Sequence, residues 1–201
     1  MPAPGRAQIE RMKMDAPSMN VKLTDTSRPL DARRSVKEGL GEYLAENGFD
    51  SAEYTAPTFR LKLFGRYFDA PNSPDRQWAI PLHDLHHVAS GYGTDWVGEA
   101  EIGVWELRAG CKTPVVYYLN AMAALIGVVL APRRMVATWH AARGARALYR
   151  SGLSYEQALG MTIGELRAHL GVPEGGLGGE RRLHADAEAS RREQVGGLAH
   201  A

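Results

Sequence analysis

The segment from Pro81 to Ile102 reads PLHDLHHVASGYGTDWVGEAEI, and it decides both the fold class and the chemistry of this chain. Two of its residues, His83 and His87, are four apart, so in a helix they lie on one face and can bind one ion. Residues 90–94, which include two glycines, allow the chain to reverse direction. A second helix that begins just after this break would carry Glu99. Two antiparallel helices can therefore bring Glu99 against the histidine pair.

Asp84 completes a candidate set of four metal ligands. It lies next to His83 and three residues before His87, which places its carboxylate on the rim of the same helical face. Imidazoles and carboxylates together suit zinc, iron or manganese, and the lack of a nearby cysteine argues against a structural thiolate site. We therefore predict a divalent metal at His83, Asp84, His87 and Glu99. Two histidines one turn apart are equally typical of a solvated surface helix, so the residues alone leave that alternative open.

Three further polar residues lie close to this set in the sequence. His86 is expected at the edge of the helix, as a second-shell or surface histidine. Asp95 precedes the second helix and is interpreted as its N-cap rather than as a group that orients a ligand. Glu106, two turns after Glu99, is expected to be an ordinary solvated helix residue outside the site.

Other histidine motifs fit less well. Aspartate at position 84 is one methylene shorter than the glutamate of the HExxH motif of metalloproteases, so protease chemistry is disfavoured. The His83-Asp84 dipeptide also occurs in HD-type phosphohydrolases, which need further dispersed ligands. A metal-dependent hydrolase is therefore kept as an alternative with weak support.

Composition restricts the class of protein. The chain has 201 residues, which suits one domain, and a net charge of +1 gives no reason to expect a nucleic acid partner. Its single cysteine, Cys111, excludes an internal disulfide framework, and we interpret it as a small buried apolar residue. The first 30 residues mix acids and bases without an apolar run, so they are not a secretory signal.

We predict an all-α fold, a single compact helical domain over residues 31–173 between a flexible N-terminal arm, 1–30, and a polar, disordered tail, 174–201. Capping-box spacing marks three helix starts, at Ser35, Ser154 and Thr162. The predicted helices cover the HDLHH segment that follows Pro81, then 35–47, 95–109, 115–131 and 133–150, and two short segments near the end of the domain. Residues 59–64 suit either a strand or one helical turn.

The predicted helix 115–131 has no charged residue. Its length is at the lower limit for crossing a bilayer, but Asn120 and several small residues favour a central buried helix, which can also line a groove for an isoprenoid tail. Arginines follow it and can contact anionic lipid headgroups or stay solvated: Arg133, Arg134, Arg143, Arg146 and Arg150.

The pattern HDxxH-x11-E at His83, Asp84, His87 and Glu99 resembles the motif of the coenzyme Q biosynthesis protein 4 family. The GYGTD-x-x-GE link between the two helices is also similar to that family. So are the segments YRSG, from Tyr149 to Gly152, and ELRAHLGV, from Glu165 to Val172. The resemblance covers roughly residues 59–172. One departure is that AIPL stands at 79–82, where the family usually has an Arg-Asp pair.

This resemblance implies an all-helical fold and a zinc-type metal, with iron and manganese as alternatives, held by the four residues His83, Asp84, His87 and Glu99. From the chemistry of the residues themselves, we expect Asp84 or Glu99 to release the metal and act as base. The resemblance implies a role in ubiquinone biosynthesis, in which the C1 carboxyl of a polyprenylated hydroxybenzoate is removed and replaced by a hydroxyl. It further implies peripheral association with the inner, cytoplasmic face of the cell membrane. Other quinone biosynthesis proteins and a second copy of the chain are candidate partners.

A function from a different class fits the same residues. The chain would then be a non-catalytic scaffold that holds polyprenyl intermediates for partner enzymes, with the metal as a structural clip. Catalysis requires that the metal be open to a substrate, whereas a structural clip requires only that its ligands converge.

Overall fold

The computed structural model of the chain describes residues 27–63 and 66–178. This part is mostly helical, which confirms the all-α fold class, and it adds one small β-hairpin. The helices are α1 Val36–Asn47, α2 Pro74–Ser90, α3 Trp96–Ala109, α4 Pro114–Leu130, α5 Pro132–Ala141, α6 Leu148–Ser151, α7 Tyr155–Leu159 and α8 Ile163–Leu170. A single 3-10 turn, Ser51–Tyr54, precedes the hairpin of β1 Thr58–Leu63 and β2 Arg66–Pro71.

Side-chain caps start most of these helices, and several caps were predicted. Both hydrogen bonds of the capping box are present at Ser35, Ser154 and Thr162, so each helix begins at the next residue. Asp95 accepts from the backbone N–H groups of Val97 and Gly98, which confirms it as the N-cap of α3.

Helix α2 begins earlier than the sequence indicated. The prediction that this helix follows Pro81 is wrong, because Ser73 caps the helix and Pro74 occupies its first position. Pro81 therefore lies inside the helix, where its ring removes one backbone hydrogen bond. The extra turns matter for the site, since they add Arg76 to the same helical face as His83.

The undecided segment 59–64 begins as a strand. β1 pairs antiparallel with β2, in a register that runs from Thr58 opposite Pro71 to Leu63 opposite Arg66. Pairing with β2 makes this segment a strand, and such pairing is not visible in the hydrophobic periodicity of the segment itself.

The core lies among α1, α2, α3 and α8, around Leu85, Ile102, Trp105, Ile163 and Leu166. Helix α4 packs closely on α3 because small residues face each other. A Cβ atom placed on Gly103 would lie 3.2 Å from the Cβ of Ala123, and one on Gly127 would lie 2.5 Å from the Cβ of Ala100.

The prediction that the apolar helix is a central buried one is wrong. In α4 only Val116, Asn120 and Gly127 are buried, because these three form the single stripe that faces the rest of the domain. Large apolar side chains on the other faces are exposed, among them Tyr118 at 65% and Val129 at 76%. Within residues 27–63 and 66–178, no helix is long and apolar enough to span a bilayer.

The prediction of one helix over 133–150 is also wrong. Helix α5 ends at Ala141, and Gly144 adopts a left-handed φ of 81° that interrupts helical geometry. The backbone N–H groups of Arg146 and Ala147 donate instead to carbonyls of α8 and α3. Long-range backbone hydrogen bonds therefore separate α5 from the short helix α6.

The packed domain is longer at both ends than the predicted 31–173. Ser27 is buried and the Arg28 N–H donates to the Gly91 carbonyl at 2.9 Å, while the Leu177 N–H donates to the Ser90 carbonyl at 2.7 Å. Both segments therefore pack on the turn that follows α2. The rest of the predicted arm and tail, 1–26 and 179–201, lies outside the described residues.

Candidate metal centre

Three of the four predicted ligands converge on one point. The Nε2 atoms of His83 and His87 lie 3.1 Å apart. Glu99 faces both rings, with one carboxylate oxygen 3.5 Å from Nε2 of His83 and the other 3.6 Å from Nε2 of His87. Each residue offers one ligand atom, and these atoms lie within 4.8 Å of one another. The predicted meeting of two helices around a histidine pair is therefore present.

The glycines of the connecting turn make this meeting possible. Gly91 ends α2 in a left-handed conformation, with φ at 74°. Gly98, on the first turn of α3, packs so tightly on the turn that a Cβ atom there would overlap the Gly93 carbonyl. Asp95 caps the helix between these contacts. The close return of the chain places Glu99 opposite the histidines of α2.

The hydrogen-bond network assigns a tautomer to each histidine. Nδ1 of His87 lies 3.1 Å from the Tyr92 carbonyl oxygen, which can only accept, so this nitrogen donates. Nδ1 of His83 lies 2.9 Å from a carboxylate oxygen of Glu106 and donates in the same way. The two Nε2 atoms then point lone pairs at each other across 3.1 Å. Such an approach is favourable only with a proton or a cation between them.

The spacing of these atoms fits a metal ion. Tetrahedral ligands at zinc distances of about 2.0 to 2.1 Å lie about 3.4 Å from one another. The Nε2 atoms of His83 and His87, 3.1 Å apart, are close to that value. Glu99 has one oxygen 3.5 Å from His83 and its other oxygen 3.6 Å from His87, so a single Glu99 oxygen lies farther from one of the two rings, within 4.8 Å. Two imidazoles and one carboxylate are a ligand set for zinc or for iron(II). His83, His87 and Glu99 could therefore hold a divalent ion and leave at least one coordination position open.

Charge holds Glu99 in its ionised form. Burial disfavours the ionised carboxylate, but the facing imidazoles of His87 and His83 outweigh burial and lower the pKa of Glu99 to about 2. Burial lowers the pKa of His83, but the carboxylate of Glu106, with a smaller contribution from Glu99, outweighs burial and raises that pKa well above its ordinary value. The site therefore carries an anionic ligand that is ready to bind a cation at neutral pH.

Asp84, the fourth predicted ligand, lies outside this group. Its carboxylate accepts from the hydroxyl of Tyr54 at 2.5 Å and from that of Tyr43 at 3.4 Å. Burial raises the pKa of Asp84, even though neighbouring charges and the Tyr54 hydrogen bond oppose the change. The structure places Asp84 in the wall of the cavity next to the candidate metal site, with tyrosine hydroxyls as its partners.

The prediction that Glu106 is an ordinary solvated helix residue is wrong. Its side chain is fully buried. One oxygen accepts from Nδ1 of His83 at 2.9 Å, from Nδ1 of His86 at 2.6 Å and from the Tyr149 hydroxyl at 3.0 Å. The other accepts from the Asn120 amide at 2.6 Å. These four donors hold Glu106 in place behind His83. The position of Glu106, two turns after Glu99 on the same helix, is the feature of the sequence that indicates a role in the site.

His86 is buried rather than at the edge of the helix. Its Nδ1 faces Glu106, and its Nε2 accepts from the backbone N–H of Leu148 at 2.9 Å. Burial is the main cause that lowers the pKa of His86, against the opposing effect of Glu106. His86 therefore serves as a neutral link between Glu106 and the start of α6, which fits the predicted second-shell role.

Two cavities open beside the candidate metal site, and Phe59, Arg76, Ile80, His83 and Glu99 line both of them. The first, of about 270 Å³, is walled by tyrosines and carboxylates, including Tyr54 and Asp84. The second, of about 310 Å³, continues between α2 and α4 past apolar side chains, including Val115, Leu119 and Ala123.

A larger cleft of about 1090 Å³ lies beside Trp78, Lys112 and Tyr155, and none of the three converging ligands lines it. His87 also lines a cavity of about 240 Å³, together with Tyr43 and Tyr92. A ligand that contacts the side of the metal formed by His83 and Glu99 would occupy the cavities of about 270 and 310 Å³, which both of these residues line.

The candidate site thus consists of a cation-binding group with an anchored histidine, at the junction of a polar and an apolar cavity. Such a site can bind an oxygen anion of a ligand while an apolar substituent occupies the second cavity.

Comparison of the chain with protein-family models, with curated proteins and with solved structures gives no match.

Proposed function

We propose that the protein acts in ubiquinone biosynthesis as a metal-dependent decarboxylase, which removes the C1 carboxyl of a polyprenylated hydroxybenzoate and puts a hydroxyl in its place. The observation that carries the proposal is the convergence of His83, His87 and Glu99 beside an apolar cavity. An ion at this point would face the space that an aromatic ring with an apolar substituent needs. The motif around these residues supplies the family resemblance.

Different residues would bind the metal, hold the His83 ring and accept a proton. His83, His87 and Glu99 would hold the ion, and Glu106 keeps the His83 ring in the tautomer that presents Nε2. A bound divalent ion supplies a positive charge that binds the ring carboxylate and stabilises the charge that develops as CO2 leaves. Asp84, with Tyr54 donating to it, is the nearby carboxylate that can accept a proton from the ring.

The balance of the reaction requires an oxidant. Replacement of the carboxyl by a hydroxyl consumes one aryl carboxylic acid, one dioxygen, two electrons and two protons, and gives one phenol, one CO2 and one water. The reductant would be a two-electron donor outside this chain. Zinc has no redox chemistry, whereas iron(II) with two histidines and a carboxylate suits dioxygen, so the metal determines whether hydroxylation accompanies decarboxylation.

We further propose that the enzyme works at the cytoplasmic face of the membrane, as a peripheral protein. Leu119 lines the apolar cavity and is also exposed on α4, next to other exposed apolar side chains of that helix. A prenyl substituent could leave the cavity along this path and remain in the lipid. Arg133, which is exposed just after α4, adds positive charge where anionic headgroups would lie.

The exposed apolar face of α4 also favours the second candidate, a scaffold that retains polyprenyl intermediates without turnover and uses the metal as a clip. The two functions differ in what happens to the ring carboxyl. The scaffold leaves it in place, whereas the enzyme releases it as CO2.

The test uses purified protein loaded separately with zinc and with iron(II), and a prenylated 4-hydroxybenzoate labelled in its carboxyl group, in air with a chemical reductant. Labelled CO2 from wild type, but not from His87→Ala, supports the enzyme. His169→Ala is the matched control, since His169 is exposed on α8 and should leave turnover unchanged. Substrate that is retained with its label intact supports the scaffold and would contradict the proposed reaction.

A further inference from the structure

Arg76 occupies an unusual place with respect to the candidate metal site. It precedes His83 by seven residues on α2, so the two side chains share a helical face about 10 Å apart along the axis. It lines both cavities together with His83 and Glu99. Ile80, halfway between Arg76 and His83, lines both cavities as well. One side of the helix therefore presents a cation, an apolar side chain and the metal ligands in that order.

The guanidinium of Arg76 has few partners. It donates to the side-chain oxygen of Asn72 at 3.1 Å, and its central carbon lies 3.5 Å from the centre of the Phe59 ring. No carboxylate of the described residues lies within ion-pair distance of it. By contrast, Arg134 makes two hydrogen bonds to the buried carboxylate of Glu101, at 2.9 and 2.7 Å. Asp84 and Glu53 line the same cavity as Arg76 and interact with its charge, but neither is hydrogen-bonded to the guanidinium. Arg76 therefore keeps hydrogen-bond donors available to a ligand.

We propose that Arg76 is the second anchor of the ligand, which binds with one oxygen anion on the metal and another, across an aromatic ring, on Arg76. This inference rests on the proposed function, since it assumes that a metal occupies the site. It adds that the substrate carries an oxygen group at each end of its ring and binds in one orientation. The chemical class is a para-substituted aromatic acid whose carboxylate faces the metal and whose phenolate oxygen, or a second carboxylate, faces the guanidinium. Ile80 is the apolar surface beneath the ring.

Geometry favours a ring of this kind over a single anion. The backbone positions of Arg76 and His83 are about 10 Å apart along the helix axis, and a ligand with an oxygen group at each end suits that interval better than one with a single carboxylate. A benzene ring with oxygen groups at opposite ends extends across most of that interval. The two short cavities meet between these anchors, so the ring would lie where they join.

The experiment measures binding rather than turnover. Zinc-loaded wild type is titrated calorimetrically with terephthalate, which has carboxylates at both ends of the ring, and with benzoate, which has one. We expect terephthalate to bind at least about tenfold more tightly, because a charge-assisted pair with Arg76 is added. Arg76→Met should abolish this difference and leave the benzoate affinity within about twofold of wild type. Arg76→Lys should retain part of it, since lysine keeps the charge without the bidentate geometry.

Arg33→Met is the matched control, because Arg33 is exposed just before α1 and lines neither cavity. It should bind both ligands like wild type. The inference is overturned if wild type does not distinguish the two ligands, if neither binds at about 10 mM, or if Arg76→Met weakens both equally at full zinc content. Ligand discrimination that depends on Arg76, in a protein that releases no CO2, would reject the proposed reaction and keep the inference.

Discussion

Glu106 anchors His83: a carboxylate oxygen of Glu106 lies 2.9 Å from Nδ1 of His83, while Nε2 of the same ring faces His87 and Glu99. A carboxylate behind a metal-binding imidazole fixes the ring and increases its basicity. Here the carboxylate is itself fixed by three other donors, from His86, Asn120 and Tyr149. The candidate centre is therefore supported from α3, α4 and α6.

Glu106→Gln should weaken metal binding. The amide keeps the size of the side chain but loses the negative charge, and its NH2 group cannot accept from any of the four donors. We expect zinc affinity to fall about 10-fold to 100-fold, the usual effect of losing such a partner. Competition with a chromophoric chelator measures the change. Glu38→Gln is the control, because glutamine also completes the exposed capping box of α1. Unchanged affinity in Glu106→Gln would show that the anchor does not affect the metal.

Metal uptake should release protons. Burial lowers the pKa of His83, but the carboxylates of Glu106 and Glu99 outweigh burial and raise that pKa well above its ordinary value, which favours the protonated ring in the metal-free protein. A cation must displace that proton, and the apparent affinity should therefore rise with pH by up to about tenfold per unit between about pH 6 and 8. Calorimetry in two buffers of different ionisation enthalpy measures about one proton released per zinc at pH 7. Zinc binding with no proton release over this range would contradict the assigned network.

Asp84→Asn tests whether Asp84, the fourth predicted ligand, binds the metal together with His83, His87 and Glu99. Asparagine keeps an oxygen that can accept from Tyr54, so the local hydrogen bonding is preserved. Because Asp84 lies outside the converging group, zinc affinity should stay within about threefold of wild type. The comparison is Glu99→Gln, which alters a carboxylate that faces both histidines and should weaken binding by more than about tenfold. Equal losses in the two variants would restore Asp84 as a ligand.

The parts of the fold that sequence predicts are those determined by local chemistry. Ser35, Ser154 and Thr162 cap helices through side chains that stand three residues before their partners, and such spacing is readable directly. The histidine pair and Glu99 are predictable for the same reason, since a helical repeat and one glycine-rich turn bring them together.

Burial was harder to predict because it depends on distant segments. Glu106 is buried by Asn120 and Tyr149, which follow it by 14 and 43 residues. Helix α4 shows the opposite problem. When nearly every position is apolar, hydrophobic periodicity no longer indicates which stripe faces the core, so the exposure of Val129 is not visible in the sequence. Ser73 and Pro74 are a typical helix start, but Pro81 suggests that no helix can run through that position, so the predicted start lies after it.

The exposed apolar face of α4 should bind lipid. Leu125 and Val129, four residues apart on this helix, are exposed at 59% and 76%. Burial of two such side chains in a bilayer surface is worth about 3 to 6 kcal/mol at most, so placing glutamate at both should weaken binding at least about tenfold. Sedimentation with vesicles of phosphatidylglycerol and phosphatidylcholine measures the partition. Neither position is buried, so the thermal midpoint should change little.

Phe68→Glu provides the matched control for this surface. Phe68 is exposed at 50% on the hairpin, away from α4 in the chain, and its replacement adds one negative charge, as the single variant Val129→Glu does, whereas the double α4 variant adds two. This variant should sediment with vesicles like wild type, which separates the effect of position from that of net charge. A double α4 variant that still binds vesicles normally, but changes from dimer to monomer in gel filtration with light scattering, would instead make this face a contact between two copies of the chain. The lipid prediction fails in that case because the apolar side chains are covered by protein before a membrane can reach them.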